Sequence, residues 1–264
     1  MTEPEFVSVR TAPEYPGIGT IALSRPPTNA LTRQMYRELA LAAAEANARE
    51  DIRVVIVYGG HEIFCTGDDL DELSELTAEE MSRSAGDRQA ALTAVAELAK
   101  PTVAAITGYA LGSGLELALA ADWRIAGDNA KVGSPEILAG MIPGGGGTVR
   151  LARVVGLSRA KEMVFSGRLV GAKEALRMGL LDQMVAPDDV YTEAAAWARR
   201  FVDGPPVALA AAKQAIDHGF DSPLAGGLDR ERELFCQVFA TQDRVDGVAA
   251  QLEIGPGTAR FRGA

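Results

Sequence analysis

The 264-residue chain carries 36 acidic and 26 basic residues, for a formal net charge of -10, and 47% of its residues are hydrophobic. This hydrophobic content is enough for a substantial core, whereas the negative charge argues against nucleic-acid or anionic-membrane partners, which would be repelled. The segment MTEPEFVSVR lacks the pattern of a signal peptide, and the longest uncharged apolar stretch, residues 101–115, is too short to cross a membrane. We therefore expect a cytoplasmic protein.

The first third of the chain predicts a hairpin, a helix and a buried strand. The segments FVSVR and IGTIALS alternate as hairpin strands do, residues 33–50 have helical periodicity, and residues 54–58 form a β-branched run. Next, residues 77–89 indicate a surface helix or a mobile segment, and residues 90–100 a further helix that Pro101 stops. The fold is therefore expected to open with a ββα unit and a further strand.

A similar pattern recurs in the middle of the chain. The segment TVAAITGYALGSGLELALAAD predicts a buried strand, a glycine turn and a helix that begins near Gly112. The segment WRIAGDNAKVGSPE predicts short strands before a second glycine turn at residues 143–147. Together with the passage around residues 66–70, these repeats predict a layered, superhelical core.

Beyond Gly156 the pattern becomes mostly helical. The predicted helices span residues 158–166, 172–178, 188–202, 205–220 and 228–241, and the last residues, 253–264, predict an extended tail. We expect one catalytic core, residues 1–200, followed by a helical region, residues 201–264, that is long enough to pack against a neighbouring subunit.

The cysteines and histidines do not predict a metal or redox site. Cys65 and Cys236 lie far apart without the spacing of a zinc or redox pair, which predicts buried thiols in a reducing compartment. His61 and His218 are not spaced as ligands of one metal ion, so they are expected in turns or on the surface.

Two glutamates are the best candidates for catalytic groups. Glu116, in GYALGSGLELALAAD, and Glu136, in GSPEILAGMIPGGGGT, each lie in an apolar, glycine-punctuated stretch. A carboxylate in such surroundings loses solvation unless it has a partner or its pKa rises. The competing structural interpretation makes Glu116 a residue stabilised by a helix dipole and Glu136 a capping or salt-bridge residue.

Three glycine turns lead into predicted helices, at residues 66–70, 111–114 and 143–147. Free N–H groups at a helix start can hold an anion, and two converging turns could form an oxyanion hole, although each glycine alone could simply serve a tight turn. The spacing of a dinucleotide or phosphate-binding loop is missing. Ser113 lies in G-S-G instead of G-x-S-x-G, which argues against a serine nucleophile.

The sequence resembles the enoyl-CoA hydratase/isomerase (crotonase) family over nearly its whole length. The motifs that carry this resemblance are SRPPTNALT, HEIFCTGDDLDEL, AITGYALGSGLELALAAD, SPEILAGMIPGGGGT, the SGR at residues 166–168, and the helical ending. The resemblance implies an α/β, crotonase-like superhelix of repeated ββα units with a C-terminal helical region. It also implies self-assembly into a homotrimer or a dimer of trimers.

The resemblance assigns roles to four residues. In the family, the residue after the glycine of the F-x-x-G motif and the middle residue of the G-x-G triplet donate backbone N–H groups to the thioester oxygen; these match Asp68 and Ser113. Family hydratases use two glutamates, which match Glu116 and Glu136. The pair favours hydration of a trans-2-enoyl-CoA to a 3-hydroxyacyl-CoA, with Glu116 activating the water and Glu136 protonating the α-carbon.

An acyl-CoA substrate is implied, with no cofactor beyond the CoA that the substrate carries. Contacts with this substrate are expected from the turn residues Thr66, Gly67, Leu70, Gly112 and Gly144. The N–H of Gly144 matches a family position that faces the catalytic water. Some relatives hold the CoA phosphates with lysines where this chain has Asp71 and Ile254, so CoA binding is expected either to be weaker or to rely on Arg25 and other basic residues.

Two other functions stay open at this point. A Δ3,Δ2-enoyl-CoA isomerase would need only one glutamate as base. A non-catalytic acyl-CoA-binding oligomer would result if Asp68, where relatives commonly have a small residue, opposed charge development in the oxyanion hole. We expect the Asp68 carboxylate to point away from the hole, and the glutamate pair to favour the hydratase.

Overall fold

Two sheets organise the chain, which is described for residues 4–255 and 257–264 in this computed structural model; residues 1–3 and Pro256 of the predicted tail lie outside these ranges. The strands are β1 (Val7–Thr11), β2 (Gly17–Leu23), β3 (Ile52–Tyr58), β4 (Thr102–Ile106), β5 (Tyr109–Leu111), β6 (Trp123–Gly127), β7 (Lys131–Gly133), β8 (Val170–Gly171) and β9 (Gln183–Val185). The larger sheet has the order β1-β2-β3-β4-β6-β9 and the smaller one β5-β7-β8.

Helices cover the large sheet and form the C-terminal region. The helices are α1 (Arg33–Ala48), α2 (Leu70–Glu75), α3 (Ala78–Ala96), α4 (Ser113–Ala120), α5 (Gly147–Val155), α6 (Leu157–Ser166), α7 (Ala172–Arg177), α8 (Val190–Val202), α9 (Pro206–Asp221), α10 (Leu224–Phe239) and α11 (Gln242–Glu253), with 3-10 helices at Pro135–Ala139 and Pro187–Asp189. This α/β architecture confirms the predicted fold class.

The predicted hairpin and buried strands are confirmed. Strands β1 and β2 pair antiparallel, whereas β2, β3, β4, β6 and β9 follow one another in parallel. Val55 and Val57 of β3 face a core cluster that includes α1 and α4, and Val54 and Ile56 face a second cluster that includes Trp197 of α8. The sheet is therefore covered on both faces, which explains the nearly continuous apolar sequence of its central strands.

Short backbone pairings bring the glycine turns together. Isolated parallel bridges join Leu31 to Asp68 and Cys65 to Ala110, and the N–H of Gly112 donates to the Gly133 carbonyl at 2.9 Å. Successive units of the chain therefore stack side by side at one edge. This stacking forms the layered superhelix that the repeated passages predicted.

Several helices differ from the sequence-based prediction. Residues 77–89 and 90–100 contribute to one continuous helix, α3, which begins at a capping box formed by Thr77 and Glu80 and tolerates an interior glycine. Helix α5 begins at the third glycine turn, where a helix start was predicted, whereas α11 was not among the predicted helices. The end of the tail packs back on the body, because the N–H groups of Arg262 and Gly263 donate to the Asp243 carboxylate.

The cysteine prediction is half right. Cys65 is buried, and burial raises the pKa of its thiol to about 12. Cys236 is exposed, because α10 turns this position away from the core. The predicted boundary between residues 200 and 201 falls in the last turn of α8, and the division into core and oligomerisation region stays a prediction.

Candidate active site

The first two glycine turns face each other. A Cβ atom on Gly67 would lie 3.5 Å from the nitrogen of Ser113, and one on Gly112 would lie 3.7 Å from the Cα of Gly67. Both glycines have positive φ, +102° and +53°, a backbone region that side chains rarely adopt. The close approach and the backbone conformation together explain glycine at both positions.

Two backbone N–H groups are available where these turns meet. Ser113 is the first residue of α4, so its N–H has no acceptor within the helix. Among the residues that the structure describes, neither the N–H of Ser113 nor that of Asp68 donates a hydrogen bond. Paired N–H donors of this kind can stabilise a developing oxyanion.

Glu116 is held by the third glycine turn. Its Oε1 accepts the N–H groups of Gly145 at 2.8 Å and Gly147 at 2.7 Å. Burial raises the pKa of Glu116, and these N–H groups oppose that rise because they stabilise the ionised form. Its other oxygen, Oε2, is buried and has no hydrogen-bond partner among the described residues.

Glu136 has a different environment. Both of its carboxylate oxygens are buried without a hydrogen-bond partner in the described part of the chain, and a Cβ atom on Gly112 would lie 3.3 Å from Oε1. Burial, together with the negative charges of Glu116 and Asp68, raises the pKa of Glu136 to about 7. No described residue forms an ion pair with Glu136, so the salt-bridge interpretation of this residue is wrong.

The Asp68 side chain binds three groups. Its Oδ1 accepts the Tyr36 hydroxyl at 2.7 Å and Nη1 of Arg88 at 2.8 Å, and its Oδ2 accepts the Ser113 hydroxyl at 2.7 Å. The Asp68 carboxylate is therefore partnered by a cation and two hydroxyl groups. Its charge still reaches the glutamates, since it contributes to the raised pKa values of both Glu116 and Glu136.

The remaining predicted site residues lie at the turns with different environments. The Gly144 carbonyl accepts Nε2 of Gln89 at 3.0 Å, and no atom lies within 4 Å of where a Cβ on Gly144 would stand. Thr66 pairs through its N–H with the Thr28 carbonyl. The side chain of Leu70 is exposed. These residues border the site, and their predicted contacts with substrate stay predictions.

Arg25, the predicted CoA contact, is already engaged within the chain. Its Nη2 lies 2.7 Å from Oδ2 of Asp69 and its Nη1 donates to the Ala30 carbonyl at 3.0 Å. The guanidinium is nevertheless part-exposed. A role for Arg25 in CoA binding therefore stays a prediction.

Sequence reasoning missed Tyr36 and Arg88. They lie 32 and 20 residues from Asp68 in the sequence and meet it only through the packing of α1 and α3. The arginine also lies over the Tyr36 ring, with its Cζ 5.4 Å from the ring centroid. The one available signal was the acidic residue at position 68, whose charge calls for a partner.

Within residues 4–255 and 257–264, no group of three or more His, Cys, Asp or Glu side chains is arranged to hold a metal ion. In the same ranges, no helix is both long and apolar enough to span a membrane. His61 is exposed near the end of β3, as predicted for a surface position.

Comparison with known proteins identifies the family. The enoyl-CoA hydratase/isomerase family model matches residues 14–258. A protein of Mycobacterium tuberculosis named probable enoyl-CoA hydratase EchA17 is 58% identical over 241 residues, which cover 90% of this chain and 92% of that protein. The crystal structure of an enoyl-CoA hydratase from Bacillus anthracis is 35% identical with a TM-score of 0.91, covering 98% of this chain and 100% of the other.

A further solved structure, that of Pseudomonas aeruginosa DspI, is 31% identical with a TM-score of 0.91, and the match covers 99% of this chain and 97% of the DspI chain. The family model, the curated relative and the solved structures thus agree along nearly the full length. The resemblance expected from the motifs is confirmed: the chain belongs to the enoyl-CoA hydratase/isomerase family of enzymes.

Proposed function

We propose that the protein is an enoyl-CoA hydratase that adds water across the double bond of a trans-2-enoyl-CoA to give a 3-hydroxyacyl-CoA. The proposal rests on one observation: two buried carboxylates that differ in their N–H donors lie near two backbone N–H groups that are available to a substrate. Glu116 accepts two N–H donors, whereas Glu136 accepts none from the described residues.

These surroundings divide the proton-transfer roles. The N–H donors favour ionised Glu116, and burial with nearby negative charge favours protonated Glu136. Burial raises the pKa of both carboxyl groups, and only Glu116 has N–H donors that oppose the rise, which suits Glu116 to act as base and Glu136 as acid. Glu116 is therefore the base that takes a proton from water, and Glu136 is the acid that delivers one to carbon.

The reaction balances with these groups alone. The water oxygen bonds to C3 while its proton moves to Glu116, and the C2–C3 π electrons move toward the thioester carbonyl. The N–H groups of Asp68 and Ser113 stabilise the resulting enolate oxygen, where each donor contributes about 3–4 kcal/mol in comparable sites. Glu136 then protonates C2, and exchange of a proton between the glutamates and water restores the starting state.

The Asp68 network supports an active enzyme over a non-catalytic acyl-CoA-binding protein. A bare carboxylate beside the N–H donors would oppose charge on the thioester oxygen. Here the carboxylate is bound by Arg88, at 2.8 Å, and by two hydroxyl groups. The negative charge beside the oxyanion hole is therefore partly compensated by Arg88 and the two hydroxyl groups.

Product analysis separates hydration from isomerisation. A hydratase lowers the conjugated enoyl-thioester absorbance of crotonyl-CoA and yields 3-hydroxybutyryl-CoA, whereas an isomerase creates that absorbance from a trans-3-enoyl-CoA. We expect rapid loss with crotonyl-CoA. Formation of conjugated product from the trans-3 substrate, without hydration of crotonyl-CoA, would replace the proposal with the isomerase. Binding without turnover of either substrate would leave an acyl-CoA-binding protein.

We propose further that the protein acts as a homo-oligomer in the cytoplasm and needs no cofactor, since CoA is part of the substrate. Support for assembly comes from large apolar side chains on the C-terminal helices; the exposed ones include Ile216, Phe220, Leu224, Leu228, Phe235, Phe239 and Leu252. An exposed apolar surface of this kind is typical of protein interfaces. Light scattering after gel filtration distinguishes a trimer from a hexamer or a monomer.

A further inference from the structure

We propose that Arg88 of α3 is a positioning residue of the active site, which binds the Asp68 carboxylate and offsets its charge beside the oxyanion N–H groups. The inference rests on the proposed hydratase function. It goes beyond that function because Arg88 acts on the glutamates and the backbone N–H groups only through the carboxylate of Asp68.

Geometry makes Arg88 the principal partner of Asp68. Nη1 of Arg88 lies 2.8 Å from Oδ1 of Asp68, and the two side chains are only 11% and 18% exposed. The Nε of Arg88 is buried without a hydrogen-bond partner among the described residues. An arginine in this setting loses solvation, so its position is explained by the carboxylate that it faces.

Tyr36 fixes the pair from the opposite helix. Its hydroxyl donates to the same oxygen, Oδ1 of Asp68, at 2.7 Å, and its ring lies against the guanidinium of Arg88. The hydroxyl of Ser113 donates to Oδ2. Both carboxylate oxygens are therefore directed toward side chains, while the backbone N–H of Asp68 is free to face the substrate.

The charges around the glutamates indicate why neutralisation matters. Glu136 is faced by Glu116 of α4 and by Asp68, and both negative charges raise its pKa. Arg150 of α5 is a cation that interacts with the charge of Glu116. Its Nη1 also donates to the carbonyl of Gly145 in the third glycine turn. Arg88 is the cation that contacts Asp68 directly, so its removal would leave that negative charge uncompensated beside the developing enolate.

Replacement of Arg88 separates this role from a purely structural one. We expect Arg88→Met to lower kcat for crotonyl-CoA hydration at least about tenfold with little change in KM, because the unpaired charge opposes the transition state more than substrate binding. Adding Asp68→Asn to this variant removes the charge, so we expect kcat to recover. Arg88→Lys keeps a cation and is expected to retain most of the wild-type rate.

The matched control is Arg83→Met on the same helix. Arg83 forms an exposed pair with Glu79, with side chains 69% and 82% exposed, so its loss changes net charge equally without touching Asp68. We expect wild-type kinetics from this variant. An Arg88→Met protein with the kcat of Arg83→Met would overturn the proposal, as would a loss that Asp68→Asn fails to relieve.

Titration of the Glu136 carboxyl group does not require turnover, so it tests the role of Arg88 separately from the hydratase proposal. Carboxyl ¹³C chemical shifts follow the ionisation of Glu136, which the Glu136→Gln spectrum assigns. We expect Arg88→Met to raise the pKa of Glu136 by about one unit, because a nearby uncompensated charge disfavours the ionised form, and Asp68→Asn to reverse the rise. If Arg88→Met does not fold, Arg88→Gln, which removes the charge and keeps a polar side chain, gives the same comparison with Asp68→Asn as the reversing change.

Failure of the hydratase proposal and failure of the role of Arg88 give different experimental results. Absence of hydration by the wild type, with the expected shift of the Glu136 pKa in the variants, rejects the hydratase and retains the charge-pair role. Normal hydration by the wild type, with an unchanged Glu136 titration in Arg88→Met, rejects the role of Arg88 and retains the hydratase.

Discussion

The N–H of Gly147 donates to Oε1 of Glu116 at 2.7 Å. This contact joins the start of α5 to the first turn of α4, and it fixes one oxygen of the carboxylate while the other, Oε2, carries no partner among the described residues. One bound and one available oxygen suit a carboxylate that must orient a water molecule.

A methyl group at position 147 should displace the Glu116 carboxylate. A Cβ atom there would lie 2.7 Å from Oε1 of Glu116 and 2.8 Å from the Cβ of Pro143, so the side chain must move. We expect Gly147→Ala to lower kcat about 100-fold, since small displacements of catalytic groups have effects of this size. Steady-state hydration of crotonyl-CoA measures the change, and a wild-type rate would contradict it.

Gly86→Ala supplies a glycine-to-alanine control away from the site. Gly86 lies in the exposed interior of α3, with no atom within 4 Å of the added Cβ. Alanine reduces the freedom of the unfolded chain and favours helix, so we expect a gain of about 0.5–1 kcal/mol in the free energy of unfolding. Chemical denaturation measures it, and a loss of stability would argue against a continuous α3.

Hydration should depend on pH through both glutamates. Glu136 must carry a proton to deliver it to C2, so we expect kcat/KM to fall as the pH rises through about 7, the pKa to which burial raises this group. Ionisation of Glu116, whose pKa burial also raises, sets the acid limb. A pH–rate profile tests this, and a rate that stays constant from about pH 6 to pH 9 would contradict the acid role of Glu136.

Glu136 should lower the stability of the fold at alkaline pH. Its pKa is about 7 in the folded protein against an ordinary value of 4.5, so the folded state binds the proton more tightly than the unfolded chain. The free energy of unfolding therefore falls as the pH rises through this interval. We expect Glu136→Gln to stabilise the protein by up to about 3 kcal/mol at pH 8, at about 1.4 kcal/mol per pKa unit.

Chemical denaturation at several pH values tests this stability difference. Below about pH 4.5 both states hold the proton, so wild type and Glu136→Gln should become similar in stability. An equal difference at acidic and alkaline pH would mean that the effect comes from packing and not from ionisation.

Local patterns were enough to predict much of the fold and the candidate site. Alternation in IGTIALS predicted β2, and glycine turns were expected to form an oxyanion hole if two of them converged, as those around Gly67 and Gly112 do in the structure. Apolar surroundings singled out Glu116 and Glu136, whose carboxylates are buried in the structure. Each of these features depends on residues that are close in sequence, so the local sequence pattern is enough to predict it.

Features that depend on distant contacts were not predictable in the same way. The contact between the start of α5 and Glu116, which accepts the N–H of Gly147, joins residues 31 positions apart and has no local sequence signal. Tyr36 and Arg88 reach Asp68 only after α1 and α3 pack. The exposure of Cys236 likewise depends on which face α10 turns to the core.

The central claim is that two glutamates move the protons of a hydration reaction. The most direct test is the rate of crotonyl-CoA hydration by wild type, Glu116→Gln and Glu136→Gln, with folding of each variant checked by circular dichroism. We expect rapid hydration by wild type and a loss of about 100-fold or more in each variant, because glutamine keeps the size of the side chain and removes proton transfer. Hydration at the wild-type rate by either folded variant would contradict the claim.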